Sequence, residues 1–293
     1  MERFAFLFLI IGILITGCQS TDDSKNPDVS LTPVSSFSHA HGLAVDPFDE
    51  NKLYIATHEG LFVLIDGKNL YRVGKKQDDY MGFSAHPSVM NTFYTSGHPR
   101  TGGNIGIQRS QDGGVTWQKL SDGISGPVDF HSMTISPADP NLLYGWYGAL
   151  QRSQDGGKNW ELVPSDLKQV ISLTAHPKEK DTIFATTAKG IQVSKDQGKT
   201  WGTLSEQLGS AAVIALAVSP SDSNHMLSSS DPLGFQKSID GGKSWQKIEQ
   251  DAGVILFIAY NPKNPNRVYA LNTEGVIYSS TDAGEHWSMF FGQ

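Results

Sequence analysis

An eight-residue stretch that recurs at a nearly constant spacing limits what this chain can fold into more than any other feature. Ser stands first, Asp third, Gly fifth and Trp eighth in each of its five copies, Ser110–Trp117, Ser153–Trp160, Ser194–Trp201, Ser238–Trp245 and Ser280–Trp287. Successive Asp residues of these copies are 43, 41, 44 and 42 positions apart. A period of about 40–45 residues is the length of one four-stranded propeller blade.

An eroded copy precedes the five intact ones. Gly60 stands six residues before Asp66, the spacing found in the intact units, whereas Leu64 and Tyr71 occupy the Ser and Trp positions. Six units predict an all-β fold, a single six-bladed β-propeller of four-stranded antiparallel blades, whose closed ring leaves only short strand edges.

The residues within a unit have the pattern of strands and turns. In the second unit we expect strands at Tyr80–Ala85, Thr92–Ser96, Ile105–Ser110 and Thr116–Leu120, because alternating apolar and polar residues are separated by Gly, Pro, Asn and Asp. It is not evident which strand completes the last blade, and Ser35–Ser38 could pair there.

The repeated octad is similar to the Asp-box, or BNR repeat. On physical grounds its Asp can accept hydrogen bonds from backbone N–H groups, its Gly can adopt positive φ and its Trp can bury apolar area. The chain resembles the Asp-box propellers of the sialidase superfamily: bacterial sialidases, xyloglucan-cleaving glycosidases, the sortilin ectodomain and photosystem II assembly factors. The resemblance implies a structural role for Asp112, Asp155, Asp196, Asp240 and Asp282.

The beginning of the chain has the features of a targeting signal. Arg3 precedes an apolar run over Phe4–Ile15, which is shorter than the roughly 20 residues that span a bilayer. Ile15-Thr16-Gly17-Cys18 resembles a bacterial lipobox, in which the Cys is lipidated and becomes the first residue. An ordinary secretory signal with an incidental Cys18 is the alternative.

These features predict the domain organisation and the location. We expect a lipoprotein signal peptide over residues 1–17, the lipidated Cys18 with a flexible tether over 18–33, and the propeller over 34–293. The protein would then be extracytoplasmic and anchored to the bacterial cell membrane. Since Cys18 is the only Cys, the folded part has no disulfides.

The charge of the chain bears on its partners. A net charge of -7 with few Arg argues against nucleic acid. We expect a monomer that meets the membrane through its lipid anchor and binds a protein or glycan ligand that the sequence does not identify.

The six units differ at three positions, and these differences suggest where function lies. Six residues before the Pro that closes each first strand stand His41, Met81, His131, Ile171, Ile214 and Leu256. Eight residues before it stand His39, Asp79, Asp129, Gln169, Ala212 and Val254. Second strands end at His58, His98, Gly148, Ala188, Asp231 and Thr273. Antiparallel pairing places all three positions at one channel mouth, opposite the Asp-boxes.

The polar residues of the first three units form a candidate metal site. Imidazole binds Zn or Cu, and thioether favours Cu(I). We predict a transition-metal site, Cu or Zn, that draws on His39, His41, His58, Met81, His98, Asp129 and His131. Hydrogen-bonded structural histidines, with Met81 as core filling, are the alternative. The other four histidines, His86, His176, His225 and His286, are expected at the surface.

Two further functions stay open beside a metal-binding module. Local strings such as His39-Ala40-His41-Gly42 also resemble bacterial secreted proteins named as glycosyl hydrolases, and Glu59, Asp79 and Asp129 are the candidate catalytic carboxylates. Sialidase activity is disfavoured, since the six Arg give no triad at equivalent positions. A protein-binding scaffold, as the assembly factors and sortilin imply, is the other alternative.

Overall fold

A computed structural model of the protein describes Met1 and residues 30–209 and 211–292. These residues form 25 β-strands and one short 3-10 helix at Glu206–Leu208. The predicted signal peptide, Cys18 and most of the predicted tether lie outside the described residues. In the described part of the chain no helix has the length and apolar character needed to cross a membrane.

Each of the first three units folds into one antiparallel sheet whose strands follow chain order from the channel outward, except that the first strand of the chain is the outermost strand of the first sheet. The first sheet contains β1 (Leu31–Pro33), β2 (Ala40–Val45), β3 (Lys52–Thr57), β4 (Gly60–Ile65) and β5 (Asn69–Val73). The second contains β6 (Asp79–Ala85), β7 (Phe93–His98), β8 (Ile107–Ser110) and β9 (Gln118–Ser121). The third contains β10 (Ser132–Ile135), β11 (Leu143–Trp146), β12 (Leu150–Ser153) and β13 (Glu161–Leu162).

The last three units repeat this order. The fourth contains β14 (Val170–Ala175), β15 (Ile183–Thr187), β16 (Gly190–Ser194) and β17 (Gly202–Thr203). The fifth contains β18 (Val213–Val218), β19 (Met226–Ser230), β20 (Gly234–Ser238) and β21 (Gln246–Lys247). The sixth contains β22 (Ile255–Tyr260), β23 (Val268–Asn272), β24 (Ile277–Ser280) and β25 (Ser288–Phe291). The predicted six-bladed propeller is confirmed.

The hydrophobic core lies between neighbouring blades. Six clusters of buried side chains each combine residues of two adjacent blades. Tyr54 and Leu61 of the first blade, for example, pack with Tyr80 and Phe93 of the second. Since apolar area removed from water is the main favourable term in folding, the ring is held together chiefly by these interfaces.

The N-terminal part of the described chain differs from the sequence-based expectation in two ways. Leu31–Pro33, assigned to the tether, is a strand that pairs with β5 as a fifth strand of the first blade. Residues 35–38 are not a strand, and the last blade is completed by its own β25. Phe37 instead packs on Phe62 and Phe291, between the first and last blades, with ring centroids 6.3 and 6.2 Å away.

Each intact Asp-box is a hydrogen-bonded turn. In the third copy the Gly198 N–H donates to Ser194 Oγ at 2.8 Å, and Ser194 Oγ donates to Asp196 Oδ1 at 2.7 Å. Thr200 donates to Asp196 from its backbone N–H and its hydroxyl, at 2.9 and 2.6 Å. Trp201 Nε1 donates to the Gly198 carbonyl at 2.9 Å. Polar groups of this turn are therefore satisfied locally, as its structural role requires.

The Asp-box turns lie at the end of the channel where the first strands finish. Each box donates a backbone hydrogen bond to the turn between first and second strands, for example Gly113 N–H to the Asn91 carbonyl at 2.9 Å. The eroded copy keeps this bond, from Asp66 N–H to the Asn51 carbonyl at 2.9 Å. The starts of the first strands, with the polar residues of blades one to three, are therefore at the opposite mouth.

Candidate functional site

The six innermost strands surround a channel of about 770 Å³. All six residues that stand six positions before the closing Pro line it: His41, Met81, His131, Ile171, Ile214 and Leu256. In the first, fourth, fifth and sixth blades this residue is skipped in the pairing of the first two strands, so that it forms a β-bulge. Because a bulge redirects a side chain, it explains how this residue reaches the channel in those four blades.

His41, His58 and Asp79 bring their donor atoms together at the mouth. One ligand atom from each lies within 4.8 Å of the others. His41 Nε2 is 3.2 Å from His58 Nδ1, and His58 Nδ1 is 2.8 Å from Asp79 Oδ2. Asp79 Oδ1 is 3.7 Å from His41 Nε2. Two donors bound to one zinc ion at about 2.0–2.1 Å in tetrahedral geometry are about 3.3 Å apart, so these separations suit a metal ion.

The electrostatics of this cluster keep His41 neutral. Burial, and after it the neighbouring His58, lower the pKa of His41 to about 4, although Asp79 opposes both effects. Only 14% of the His41 side chain is exposed, against 50% of His58. A neutral imidazole retains the lone pair that a metal ligand needs.

A second group of the same composition lies beside the first. His98 Nε2 and His131 Nε2 approach one oxygen, Asp129 Oδ2, at 2.9 and 2.8 Å. His98 Nδ1 donates to the Gly103 carbonyl at 2.9 Å, and this bond is the main cause of the raised pKa of His98, with Asp129 and Asp79 adding to it. His131 is close enough that its charge affects His41. The two groups therefore share one mouth.

Both carboxylates keep one oxygen without a hydrogen bond. Oδ1 of Asp79 and Oδ1 of Asp129 are buried and have no hydrogen-bond partner among the described residues. Asp129 is only 3% exposed. An ionised oxygen that has lost its water costs free energy unless something replaces that water. A bound cation is the simplest replacement at a site otherwise lined by imidazole.

The backbone holds Asp79 beside His98. The two residues face each other in the pairing of β6 and β7. Gly97 has φ 123°, and a Cβ at this position would stand 2.0 Å from the Asp79 carbonyl oxygen. Only Gly fits there. The side chains then part, since Asp79 turns to His58 of the first blade and His98 to Asp129 of the third.

The structure brings the predicted site residues together to different degrees. His39 lies next to the first group, its ring centroid 5.2 Å from that of His41 and 5.8 Å from that of His58. Met81 is buried and lines the channel. Glu59 is exposed, and its described hydrogen bond runs from its backbone N–H to Thr57 Oγ1.

The expectation for the remaining four histidines is wrong in part. His286 is exposed and pairs with Asp282 of its Asp-box at 2.7 Å. His86 and His225 are half-buried, and His176 is only 5% exposed. Nδ1 of His176 accepts backbone N–H bonds from Lys178 and Glu179 at 3.1 and 2.9 Å, so it caps a turn. These hydrogen bonds account for His176 structurally.

Sequence reasoning underestimated Asp79. The sequence indicates Asp79 as a candidate catalytic carboxylate and not as a metal ligand, yet it is the carboxylate that joins His41 and His58. The signal was available, because Asp79 and Asp129 occupy equivalent positions in adjacent units. The role of the Gly103 carbonyl in orienting His98 has no counterpart in the repeat pattern.

The comparisons with known proteins agree with this architecture. The BNR/Asp-box repeat family matches residues 108–119, and the chain is an Asp-box β-propeller. It is 24% identical over 230 residues to an oligoxyloglucan reducing-end-specific xyloglucanase of Emericella nidulans, covering 72% of this chain and 24% of the enzyme. The chain therefore spans about a quarter of the length of this relative.

Solved structures of two kinds share the fold. A Niastella koreensis GH74 enzyme matches with a TM-score of 0.62 and 15% identity, covering 88% of this chain and 46% of that one. YCF48 bound to D1 peptide matches with a TM-score of 0.57 and 16% identity, covering 89% of this chain and 84% of that one. The GH74 match takes in less than half of the enzyme, whereas the YCF48 match takes in most of both chains.

Proposed function

We propose that this protein is a lipid-anchored, extracytoplasmic binding module that holds a divalent transition-metal ion at its channel mouth, through His41, His58 and Asp79. The observation that carries the proposal is the convergence of these three donor atoms within 4.8 Å. Some catalytic zinc sites and many non-haem iron sites use two imidazoles and a carboxylate, and they keep further positions open for water or a ligand.

The choice of ion follows from the donors. Nitrogen and carboxylate oxygen favour Zn²⁺ or a similar divalent ion, whereas Cu(I) prefers sulfur. Met81 is the one sulfur residue of the predicted set, and it lines the channel wall at the position equivalent to His41. We therefore name Zn²⁺ as the probe and treat Met81 as part of the wall.

A metal-loading experiment tests the proposal. The full chain is stripped with a chelator, reloaded with Zn²⁺ and measured by elemental analysis and calorimetry. We expect at least one ion per chain. Asp79→Asn should weaken zinc affinity at this site at least tenfold. Loss of an outer-shell partner already lowers metal affinity about 10–100-fold, and loss of a ligand should lower it more. His286→Ala, which removes an exposed His paired with an Asp-box Asp, is the matched control and should bind as the original does.

The outcome that contradicts the proposal is a chain with no stoichiometric Zn²⁺, Cu, Mn or Fe after growth in metal-rich medium.

The lipid anchor is tested separately. Cys18→Ser should move the protein from the membrane fraction to the soluble extracytoplasmic fraction, and retention at the membrane would remove the anchor from the proposal.

A protein-binding scaffold is the second candidate, and the extent of the YCF48 match favours it. The open positions of a metal ion and a channel mouth are both compatible with holding a peptide. Pull-down from membranes with the original chain and with His41→Ala separates the two functions, because a scaffold that does not use the metal keeps its partners in both.

A glycoside hydrolase is less well supported by the mouth itself. It requires two carboxyls with distinct roles across the sugar. Asp79 and Asp129 are instead each held by two histidines. Turnover on a glycoside panel that is lost in Asp129→Asn would nevertheless reinstate this activity.

A further inference from the structure

We propose that the channel mouth binds a small aliphatic carboxylate, whose charged head binds the metal ion while its hydrocarbon part packs on Ile171, Ile214 and Leu256. These three residues are called the aliphatic wall. The inference rests on the proposed metal-binding function and extends it by naming the class of ligand.

The aliphatic wall is separate from the hydrophobic core. Ile171 is 38% exposed, and Ile214 and Leu256 are half-buried. None of the three is among the residues of the six core clusters that the described part of the chain forms. Their neighbours differ, since Val213 and Ile255 are fully buried core residues. The wall therefore presents apolar surface that the fold itself does not cover.

The backbone directs the aliphatic wall into the channel. The pairing of first and second strands skips each of its residues, as it skips Leu256 between Ile255 and Phe257. Such β-bulges redirect a side chain and are frequent next to active sites. All three side chains line the channel. A large aliphatic side chain that points away from the core loses the free energy of burial unless a ligand covers it.

The wall faces the metal site. The innermost strands contact one another in chain order, and β22 of the last blade contacts β2 of the first. In a ring of six blades the fourth lies opposite the first, so Ile171 is opposite its equivalent, the metal ligand His41. The channel of about 770 Å³ is in the range of small-molecule sites, roughly 300–1,000 Å³. One small ligand can therefore contact the ion and the wall together.

The chemistry of the two sides defines the ligand. Two neutral imidazoles and one carboxylate leave a divalent ion with a net positive charge and open positions, which a carboxylate oxygen can fill. The side chains of the wall have no polar atom that could pair with a sugar hydroxyl. A polar group that loses its water without a new partner is unfavourable. A hydrocarbon group on an anionic head therefore fits this mouth better than a glycan does.

Calorimetric titration of the zinc-loaded full chain tests the inference. Acetate, butanoate and hexanoate share one head and differ in hydrocarbon length. We expect affinity to rise by up to about fourfold for each buried methylene, and hexanoate to bind at least about tenfold more tightly than acetate. Hexan-1-ol, which lacks the charged head, should bind at least about tenfold more weakly than hexanoate. Hexanoate should bind the metal-stripped chain with a similar loss.

Two variants locate the hydrocarbon part of the ligand. Ile171→Asn places a polar amide in the wall and should lower the preference for hexanoate over acetate at least about fivefold, while Zn²⁺ still binds. Leu162→Asn is the matched control, because Leu162 is 53% exposed on the outermost strand of the third blade. It should keep the preference of the original chain. Far-UV circular dichroism and a thermal melt check folding, and Leu256→Ala decides if Ile171→Asn does not fold.

The results distinguish failure of the inference from failure of the proposed function. A chain that binds no Zn²⁺ removes both. A chain that binds Zn²⁺ but takes hexanoate no more tightly than acetate overturns the inference and leaves the proposed function standing. The inference is also overturned if the folded wall variant keeps the full preference shown by Leu162→Asn. The same holds if hexan-1-ol, or hexanoate with the metal-stripped chain, reaches the affinity of hexanoate for the zinc-loaded chain.

Discussion

The two ends of the channel carry carboxylates of the same kind in opposite circumstances. In the Asp-box turns, Asp196 accepts hydrogen bonds from two hydroxyls and two backbone N–H groups, which lie in its own turn. At the mouth, Asp79 and Asp129 contact imidazoles, and within the described part of the chain each has one buried oxygen that has no hydrogen-bond partner. The Asp-box carboxylate therefore finds its hydrogen-bond donors within its own turn, whereas the carboxylates at the mouth still have an oxygen that a ligand could bind.

This difference separates structural from functional carboxylates more clearly than position in the repeat does. A fully satisfied carboxylate stabilises its turn whatever the molecule binds. A carboxylate that is buried and incompletely paired lowers stability until a ligand supplies the missing charge. Substitution of an Asp-box carboxylate should therefore mainly lower stability, whereas substitution of a carboxylate at the mouth should mainly weaken metal binding.

The largest effect on stability is expected in an Asp-box. Asp196→Ala removes the acceptor of four hydrogen bonds, and we expect the free energy of unfolding to fall by roughly 1–3 kcal/mol. Lys195→Ala, at the exposed neighbouring position, should stay within about 0.5 kcal/mol of the original. Chemical denaturation measures both. If Asp196→Ala and Lys195→Ala were equally stable, the stabilising role assigned to the Asp-box carboxylates would be wrong.

Acid should also lower stability, and the two faces should respond in different pH windows. Burial lowers the pKa of His41 from 6.5 to about 4, so between these values the unfolded chain takes up a proton that the folded chain refuses, and stability falls as pH falls. Hydrogen bonds from Thr200 and Ser194 lower the pKa of Asp196 from 3.8 to about 2, so its contribution is present above 3.8 and is lost below it.

Denaturation of the metal-free chain across these windows checks the assignment. His41→Gln should reduce the slope of unfolding free energy against pH between 6.5 and 4, by up to about 1.4 kcal/mol per pH unit, because one titrating group is gone. The loss of stability below pH 3.8 should persist in this variant. An unchanged upper slope would mean that His41 is not held neutral.

The smallest effect on stability is expected at the mouth. Asp79→Asn keeps the shape of the side chain and removes a charge with an unpaired buried oxygen, so the metal-free chain should change by less than about 1 kcal/mol. Asp196→Asn is the matched comparison and should cost more, because the amide nitrogen cannot accept the bonds that the carboxylate accepts. A larger loss in Asp79→Asn than in Asp196→Asn would reverse the comparison.

Much of this molecule could be predicted from the sequence because the repeat specifies it. The period predicts six blades, and strand direction alone places His41, His58 and Asp129 at the mouth away from the Asp-boxes. The partners within the mouth could not be predicted in the same way. Whether the Asp79 side chain contacts His98 of its own sheet or His58 of the first blade depends on how closely the two blades pack.

Features outside the repeat were also beyond prediction. Among the strands that the structure describes, Leu31–Pro33 has no counterpart in the other blades, so its pairing with β5 follows no internal pattern. The burial of His176 depends on the turn that it caps. The repeat pattern predicts only the features that all units share, and these residues belong to features found in single units.

The way the ring closes has a consequence for how the chain reaches its final form. The last blade is built from its own four strands, and contacts such as the Tyr269 hydroxyl with the Glu50 carbonyl at 2.8 Å join it to the first. Every blade is thus continuous in sequence, and blades can form one after another as the chain emerges, with mostly local contacts. Only the seam beside Phe37 must wait for the final strand, so the ring should open there first under force.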